Sequence, residues 1–320
     1  MSNTKEYNLT QRVPQVILMG NGIVYREEFE WTKLIEKLAK TDVDLSKYKK
    51  NKELQVPNTI LTMAVTDCDN QERHNTYIEC LDGLENGIRK YPYANNEKIN
   101  RILQIPCDAI LTTNYTYELE YGILNSYIEF LNDKKRKYAK STAQKDKEKD
   151  AKYLLRTYNK LNENFPEIWH IHGELRRKSS LILSHDEYAH LVNKILEYNK
   201  NRENEYETLK ENFEVKSWID YFIVADLYII GYGLDYAEFD LWWLLNRRLN
   251  EKASYQREIY FYEPYSEAVK YKQRVLSDIG VHVETLDMEK KENFFYDEFY
   301  LRAIENIAEK VRTKDGSFKV

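Results

Sequence analysis

Cysteine is scarce in this 320-residue sequence, and its scarcity excludes two kinds of cross-linked scaffold. The chain contains three cysteines, Cys68, Cys80 and Cys107, and no two of them form a CxxC pair. Neither a disulfide framework nor a four-cysteine zinc ribbon can be built from so few and such widely separated thiols. We therefore expect reduced, mostly buried cysteines and no bound metal.

Long apolar runs and a strong excess of one charge are also missing. No apolar leader opens "MSNTKEYNLTQRVPQ", and the most apolar later stretch, "YFIVADLYIIGYGL", carries Asp226 and is too short to cross a bilayer. The formal net charge is -5, which does not indicate a basic surface for a polyanion. We therefore expect a cytoplasmic protein that contacts neither membranes nor, directly, nucleic acids.

The sequence does contain short apolar runs of β-forming residues, each of which stops at glycine or at polar residues. Helical patterns follow most of them, and their near-continuous apolarity is typical of strands buried on both faces. This pattern predicts an α/β fold, a Rossmann-like parallel sheet with helices on both faces. The predicted strands lie within residues 15–22, 107–115, 167–175, 180–188, 226–234, 258–264 and 281–287.

No linker rich in proline, glycine and serine divides the chain, so we expect a single domain over 1–320. Its nucleotide-binding core is expected over approximately 13–40, 106–117, 166–188 and 223–290, followed by a C-terminal helix over 291–312. Long insertions over approximately 41–105, 118–165 and 189–222 would form a helical lobe. Within the second insertion, segment 133–152 carries nine basic and four acidic side chains and is expected to be a solvated helix or a mobile loop.

Glycine is concentrated where ligands bind in an open parallel sheet, just beyond the carboxyl ends of the strands. Five of the ten glycines follow predicted strands: Gly20, Gly22, Gly173, Gly231 and Gly233. Because glycine lets the backbone approach a phosphate closely, "GNG" and "GYG" together suggest a pyrophosphate cradle. A full GxGxxG is absent, since Tyr25 occupies the third position, and no Walker-type GxxxxGK[ST] occurs.

Two polar residues at strand ends can be interpreted in two ways from the residues alone. Asn114 precedes the helical pattern "TYELEYGILNSYIEFL" and could be an N-cap or a catalytic amide. His172 could pack in the core or take part in chemistry from its place at a strand end beside Gly173. His170, two residues earlier, is expected to pack inside.

Taken together, GNG, TTNY, HG and GYGL occur in an order that resembles the sirtuin family. The resemblance is most specific in "ILTTNYTYELE", "WHIHGEL" and "LYIIGYGLDYAEFDLWWLL", and it covers roughly residues 13–290. The chain looks closest to the bacterial sirtuin-like NAD-hydrolysing proteins of antiphage defence, because it lacks the zinc ribbon of the deacylases. Two further departures are "GNGIVYREEFEW" in place of a Pro-x-Phe-Arg run, and Thr116 where many relatives have an acid, with Glu118 and Glu120 one helical turn away.

The resemblance implies that NAD is the substrate and that Asn114 and His172 form the catalytic pair at the nicotinamide ribose. The asparagine amide would orient water or a hydroxyl, and the imidazole would accept a proton. Gly20, Asn21, Gly22 and Gly231 would face the pyrophosphate, and Glu263 would accept a hydrogen bond from the adenosine ribose. The complete expected NAD-binding set is Gly20, Asn21, Gly22, Thr112, Thr113, Gly173, Gly231, Tyr232, Gly233 and Glu263.

The function that the resemblance implies is cleavage of NAD to nicotinamide and ADP-ribose, or cyclic ADP-ribose, in antiphage defence. The alternatives are a catalytically silent NAD or ADP-ribose sensor and, third, an NAD-dependent protein deacylase. Because a constitutive NADase would harm its host, we expect restraint by homo-oligomerisation or by a partner such as a companion ATPase or another defence protein.

Overall fold

The structure is a computed structural model, and it describes most of the predicted core. The residues it describes are 5–9, 11–24, 79, 96–124, 136–138, 152–161, 163–175, 177–182, 184–208, 213–234, 238–250, 256–267, 269–286 and 295–315. Most of the predicted insertion over 41–105, and most of segment 133–152, lie outside the described residues.

Eight strands form one sheet in the order β10-β9-β8-β2-β3-β6-β5-β4, and the six from β10 to β6 run parallel. Numbered along the chain, these six have the order 3-2-1-4-5-6, which is typical of dinucleotide-binding folds and confirms the predicted Rossmann-like sheet. Two short strands, β1 and β7, pair separately and antiparallel. The strands are β1 (Glu6–Tyr7), β2 (Gln15–Met19), β3 (Ala109–Thr112), β4 (Arg136–Tyr138), β5 (Thr157–Asn159), β6 (Glu167–His170), β7 (Phe213–Glu214), β8 (Asp226–Ile230), β9 (Ile259–Tyr262) and β10 (His282–Glu284).

Helices cover both faces of this sheet because the side chains of its strands alternate between two apolar cores. In β2, Val16 and Leu18 belong to one core and Ile17 and Met19 to the other. The first core is completed by α3, α4, α5 and α6, and the second by α1, α2 and α7. The helices are α1 (Glu97–Leu103), α2 (Glu118–Leu124), α3 (His185–Thr208), α4 (Trp218–Val224), α5 (Phe239–Asn250), α6 (Lys270–Asp278) and α7 (Phe295–Asp315). Among these described helices, none has the length and apolar character that a bilayer span requires.

Two expectations about secondary structure were wrong. The run 180–188 was expected to contain a strand, but a 3-10 turn ends at Ser180 and α3 begins at His185. The insertion over 118–165 was expected to be helical, but it contributes β4 and β5, which extend the sheet antiparallel beyond β6. An apolar run is buried equally well in a turn or a strand, so periodicity alone did not separate them.

Basic side chains near both ends of the described chain form ion pairs at the amino-terminal edge of the sheet. Near the start, Arg12 Nη1 lies 3.1 Å from Asp108 Oδ1, and Lys5 Nζ lies 3.9 Å from the same atom. Near the other end, Lys314 Nζ at the end of α7 lies 2.9 Å from Asp226 Oδ2, at the start of β8. The opposite, carboxyl-terminal edge carries the predicted site residues.

Candidate functional site

The predicted glycine cradle lies where β2 and β8 end side by side, at the point where the strand order reverses. Gly20 N donates to Ile230 O at 3.0 Å, and Gly22 N donates to Gly231 O at 2.7 Å. A Cβ on Gly20 would lie 2.5 Å from Gly231 O, and one on Gly22 would lie 2.7 Å from Tyr300 Oη. These glycines therefore allow two strand-end loops to touch, and Asn21 is the exposed residue between them.

Gly231 has a left-handed backbone with φ of +65°, and a Cβ there would lie 2.5 Å from Ile23 Cγ1. A non-glycine residue would be strained in this conformation and would also clash. The cradle predicted from "GNG" and "GYG" is thus brought together by direct backbone contact between its two halves.

Asn114 lies beyond the end of β3 and is not the N-cap of α2, which begins four residues later at Glu118. The residue is 94% buried, yet among the described residues neither its Nδ2 nor its Oδ1 has a hydrogen-bond partner. A buried amide without partners costs free energy that a native structure normally avoids. The Asn114 amide is therefore free to donate to and accept from a bound molecule.

The loop after β3 and the loop after β6 are bonded to each other. Strand pairing sets Thr112 opposite His170, so Asn114 and His172 each lie two residues beyond a paired position. Leu175 N then donates to Tyr115 O at 3.0 Å, and Tyr115 Oη donates to Ile182 O at 2.8 Å. Asn114 and His172 therefore occupy neighbouring loops at the same edge of the sheet.

Gly173 fixes the course of the second loop. Its φ is +93°, and a Cβ there would lie 2.1 Å from Ser180 O. The turn that ends at Ser180 packs directly on this glycine, and Ile182 N donates to His172 O at 2.9 Å. Gly173 thus has a steric role beside His172.

His172 is paired with Asp240, a residue of the first turn of α5. Its Nε2 lies 2.9 Å from Asp240 Oδ2, and both side chains are buried. Burial by itself would lower the pKa of His172, but the charge and hydrogen bond of Asp240 raise it above the ordinary value. The carboxylate holds the proton on Nε2, so Nδ1 of the neutral ring carries the lone pair.

His170 is buried like its neighbour but has different partners. Its Nδ1 lies 2.9 Å from Asn114 O, and its Nε2 lies 2.9 Å from Glu120 Oε1. Burial opposes the charged ring, yet Glu120 and the Asn114 carbonyl raise the pKa of His170. Nearby, Thr116 donates its hydroxyl to Glu118, whose pKa burial raises. His170 therefore packs inside, as expected, but it also contacts the backbone of Asn114.

The remaining predicted residues lie around this edge with different surroundings. Thr112 is buried and its Oγ1 accepts from Asn114 N at 3.1 Å, while Thr113 is half-buried. Tyr232 packs against Gly20, and burial together with Glu238 raises the pKa of its hydroxyl.

Glu263 follows β9 as expected, but protein groups already occupy its carboxylate. Lys272 Nζ lies 2.5 Å from Glu263 Oε1, and Gln273 Nε2 lies 3.3 Å from Oε2. Lys272 also donates to the carbonyl of the exposed Gly233, at 2.6 Å. A ribose hydroxyl would have to share Glu263 with these two side chains.

Two carboxylates at this edge were not assigned a role from the sequence. Asp240 lies nine residues after Gly231 in an amphipathic helix, where it resembles an ordinary acidic residue of a first turn. Glu120 was noted only for its distance from Thr116. Each pairs with a histidine far away in the chain, and no local pattern signals such a contact. Over the described ranges, no group of three or more potential metal ligands occurs.

Comparison with known families gives a match that covers the TTNY, HG and GYGL motifs but not the earlier GNG motif. A family model described as a SIR2-like domain matches residues 108–283, which is more than half of the chain. The matched stretch runs from the start of β3 into β10 and includes Asn114, His172 and Asp240. Among curated proteins, no sequence matches this chain.

Proposed function

Since the chain belongs to the SIR2-like domain family, whose members use NAD, we propose that it hydrolyses the bond between nicotinamide and ribose in NAD. The observation that carries the proposal is Asn114, which is 94% buried and has no hydrogen-bond partner at either amide atom within the part of the chain that the structure describes. It lies beside a histidine whose orientation a buried carboxylate fixes. One amide with a donor and an acceptor, next to an oriented base, suits the handling of a ribose and a water molecule.

The proposed reaction consumes one NAD and one water and gives nicotinamide, ADP-ribose and a proton. The bond from the ribose anomeric carbon to the nicotinamide nitrogen breaks, and nicotinamide leaves as a neutral base. Positive charge develops on the ribosyl carbon, to which the water oxygen then bonds. If an adenine nitrogen of the same molecule takes the place of water, the product is cyclic ADP-ribose.

Each site residue has one part in this scheme. The Asn114 amide holds the attacking water or a ribose hydroxyl through both its donor and its acceptor. His172 Nδ1 accepts the proton, and Asp240 stabilises the resulting imidazolium. The contacting loops of Gly20, Asn21, Gly22 and Gly231 provide the edge along which the pyrophosphate lies.

The test measures nicotinamide release from NAD by the purified protein and identifies the ribosyl product. Asn114→Ala and His172→Ala should each lower kcat by roughly 10² to 10⁴-fold, the usual contribution of an acid-base or orienting group. Asn246→Ala and His282→Ala change the same residue types at exposed positions and should leave kcat unaltered.

Wild-type protein that binds NAD without releasing nicotinamide, even with candidate activators present, would refute hydrolysis and favour a sensor. Release that requires an acylated lysine peptide would instead indicate a deacylase. Unchanged turnover in both site variants would place the chemistry elsewhere in the chain.

We further propose that this activity depletes NAD in bacterial antiphage defence and is restrained by self-assembly or by a partner such as a companion ATPase. The support is chemical: an unregulated enzyme that consumes NAD would harm the cell that makes it. A strict monomer at micromolar concentration on size-exclusion chromatography, with full NADase activity and no added partner, would argue against restraint.

A further inference from the structure

A buried chain of hydrogen bonds lies beneath Asn114. Asn159 Nδ2 donates to Glu120 Oε1 at 2.8 Å, and the same oxygen lies 2.9 Å from His170 Nε2. The other ring nitrogen, His170 Nδ1, lies 2.9 Å from Asn114 O. All four residues are at least nine-tenths buried, and they belong to β5, α2, β6 and the loop after β3.

This geometry fixes the number of protons that His170 and Glu120 share. A carbonyl oxygen can only accept, so His170 Nδ1 must carry a hydrogen. Two lone pairs cannot face each other at 2.9 Å, so a proton also lies between Nε2 and Glu120. The pair is therefore either an imidazolium with a carboxylate or a neutral imidazole with a carboxylic acid. In both forms it holds one proton more than a neutral histidine beside an ionised glutamate.

Asn114 depends on this pair because its own side chain has no hydrogen-bond partner in the described ranges. Its position is set through its backbone, where the N–H donates to Thr112 Oγ1 at 3.1 Å and the carbonyl accepts from His170. Loss of the bond from His170 would remove this donor from the buried Asn114 carbonyl. The backbone of Asn114 would then be held only by the bond from its N–H to Thr112 Oγ1.

We propose that His170 and Glu120 are positioning residues, which fix the Asn114 amide for NAD through a backbone hydrogen bond that exists only while the pair holds its proton. This inference rests on the proposed function, and it assigns the fall of kcat at high pH to the loss of the proton from this pair. In the described chain the ionisable groups facing the His170 ring are Glu120 and Glu118 of α2, together with Tyr117, whose ring packs on it edge-on at 5.3 Å. Both glutamates favour the protonated ring, so its proton is lost at a higher pH than that of an ordinary histidine. The one remaining ring hydrogen then lies on Nε2, where the carboxylate accepts it, and the bond to Asn114 O is lost.

Two substitutions of His170 separate its two bonds. In His170→Asn the amide nitrogen falls near the former Nδ1 and keeps the donor to Asn114 O. In His170→Gln it falls near the former Nε2 and keeps only the contact to Glu120. We expect His170→Asn to retain most of kcat and His170→Gln to lose about tenfold or more, the effect of one buried hydrogen bond. Equal losses in both variants, or a change in KM alone, would overturn a positioning role; thermal unfolding of both variants checks the fold.

A third variant tests the proton. In Glu120→Gln the amide nitrogen can donate to neutral His170 and, once the Asn159 amide turns over, to Asn159 Oδ1. The alkaline decline of kcat expected in the wild type should therefore disappear or move. Glu309→Gln, at an exposed position of α7, is the matched control, and its kcat should vary with pH like that of the wild type. The same alkaline midpoint in wild type and Glu120→Gln would contradict the proposal.

The effect of this pair on the Asn114 side chain can also be measured without following NAD turnover. In protein labelled with ¹⁵N-asparagine, the Asn114 side-chain resonances are assigned from Asn114→Ala and followed with pH. They should shift at alkaline pH in wild type, already be displaced in His170→Gln, and stay constant in Glu120→Gln. If the Asn114 resonances shift with pH but no nicotinamide is released, the positioning role is supported and the proposed function fails. If nicotinamide is released but the resonances do not shift with pH, the proposed function is supported and the positioning role fails.

Discussion

At the scale of single residues, the site contains two buried histidines whose carboxylate partners give them different tasks. Asp240 leaves His172 with a lone pair on Nδ1, which suits a base. Glu120 and the Asn114 carbonyl require a hydrogen between each nitrogen of His170 and its partner, which suits a residue that positions Asn114. The two rings are two residues apart in "WHIHG", yet only their partners distinguish them.

This difference predicts the acid limb of the pH profile. A base must be neutral to accept a proton, so kcat/KM should rise as the pH passes upward through the pKa of His172, which Asp240 raises. In Asp240→Asn that cause is removed while burial still opposes the charged ring. The acid limb should therefore move to lower pH and kcat should fall by about 10² to 10⁴-fold, because the Nε2 proton is no longer held.

The measurement is kcat/KM against pH for wild type and Asp240→Asn. Asp278→Asn changes an exposed residue at the end of α6 and serves as the control. An acid limb at the same pH in wild type and Asp240→Asn would show that the pair does not control the titration.

Asn114 and His170 also mark the limit of sequence reasoning at this scale. The sequence placed Asn114 at a strand end and His170 inside a strand, but the N-cap alternative for Asn114 could be excluded only by the helix start at Glu118. The partner of His170 lies 50 residues away along the chain. A contact of that separation depends on how the elements pack and leaves no periodic signal.

At the scale of elements, helices α3 and α4 are joined by a buried carboxylate outside the site. Asp220 accepts from Tyr198 Oη at 2.8 Å and Tyr206 Oη at 2.6 Å, and Arg202 Nη2 lies 3.3 Å from it. Lys216 N, just before α4, donates to it as well, at 2.6 Å. These donors compensate a charge that burial alone would make costly.

Removal of this carboxylate should destabilise the fold without altering the chemistry. Asp220→Ala removes the acceptor of two buried hydroxyls and one partner of the Arg202 guanidinium, which keeps Glu205 and the Glu214 carbonyl. The free energy of unfolding should fall by about 3–5 kcal/mol. Chemical denaturation measures the loss, with Glu197→Ala at an exposed position of α3 as control. A loss below about 1 kcal/mol, typical of a surface ion pair, would show that the network contributes little.

Element prediction succeeded where apolar runs form parallel strands and failed where burial has another cause. The run around Leu181 and Ile182 is apolar because it packs beneath Gly173 and α3, not because it pairs with a strand. The strands β4 and β5 lack a long apolar run, since they extend an edge of the sheet. β5 pairs with β6 and β4 pairs with β5, and no property of their own sequence indicates this pairing.

At the scale of the whole molecule, the described chain is held by two apolar cores, one on each face of the sheet. Sequence order alone indicated the sheet and the edge that carries the site, because the GNG, TTNY, HG and GYGL motifs all follow parallel strands. The GNG and GYGL motifs meet at the reversal of strand order because the topology places β8 beside β2.

A fold held in this way should not depend on a metal. Dialysis against a chelator should leave both the melting temperature and NAD turnover of the wild type unchanged, because apolar burial supplies the main stabilisation. Elemental analysis before and after dialysis, combined with thermal unfolding, checks this. A fall in melting temperature that added zinc reverses would instead indicate a structural metal and revive the deacylase alternative.

The ion pairs of Lys5 and Lys314 have a practical consequence for experiments on this protein. Both residues are fastened to the amino-terminal edge of the sheet, and a parallel strand of five residues separates that edge from the site by about 17 Å. A fluorophore, a surface tether or a fusion partner attached beyond either residue would start on the side facing away from Asn114 and His172. An immobilised sample would therefore present its reactive edge to the solution whichever end is used to hold it.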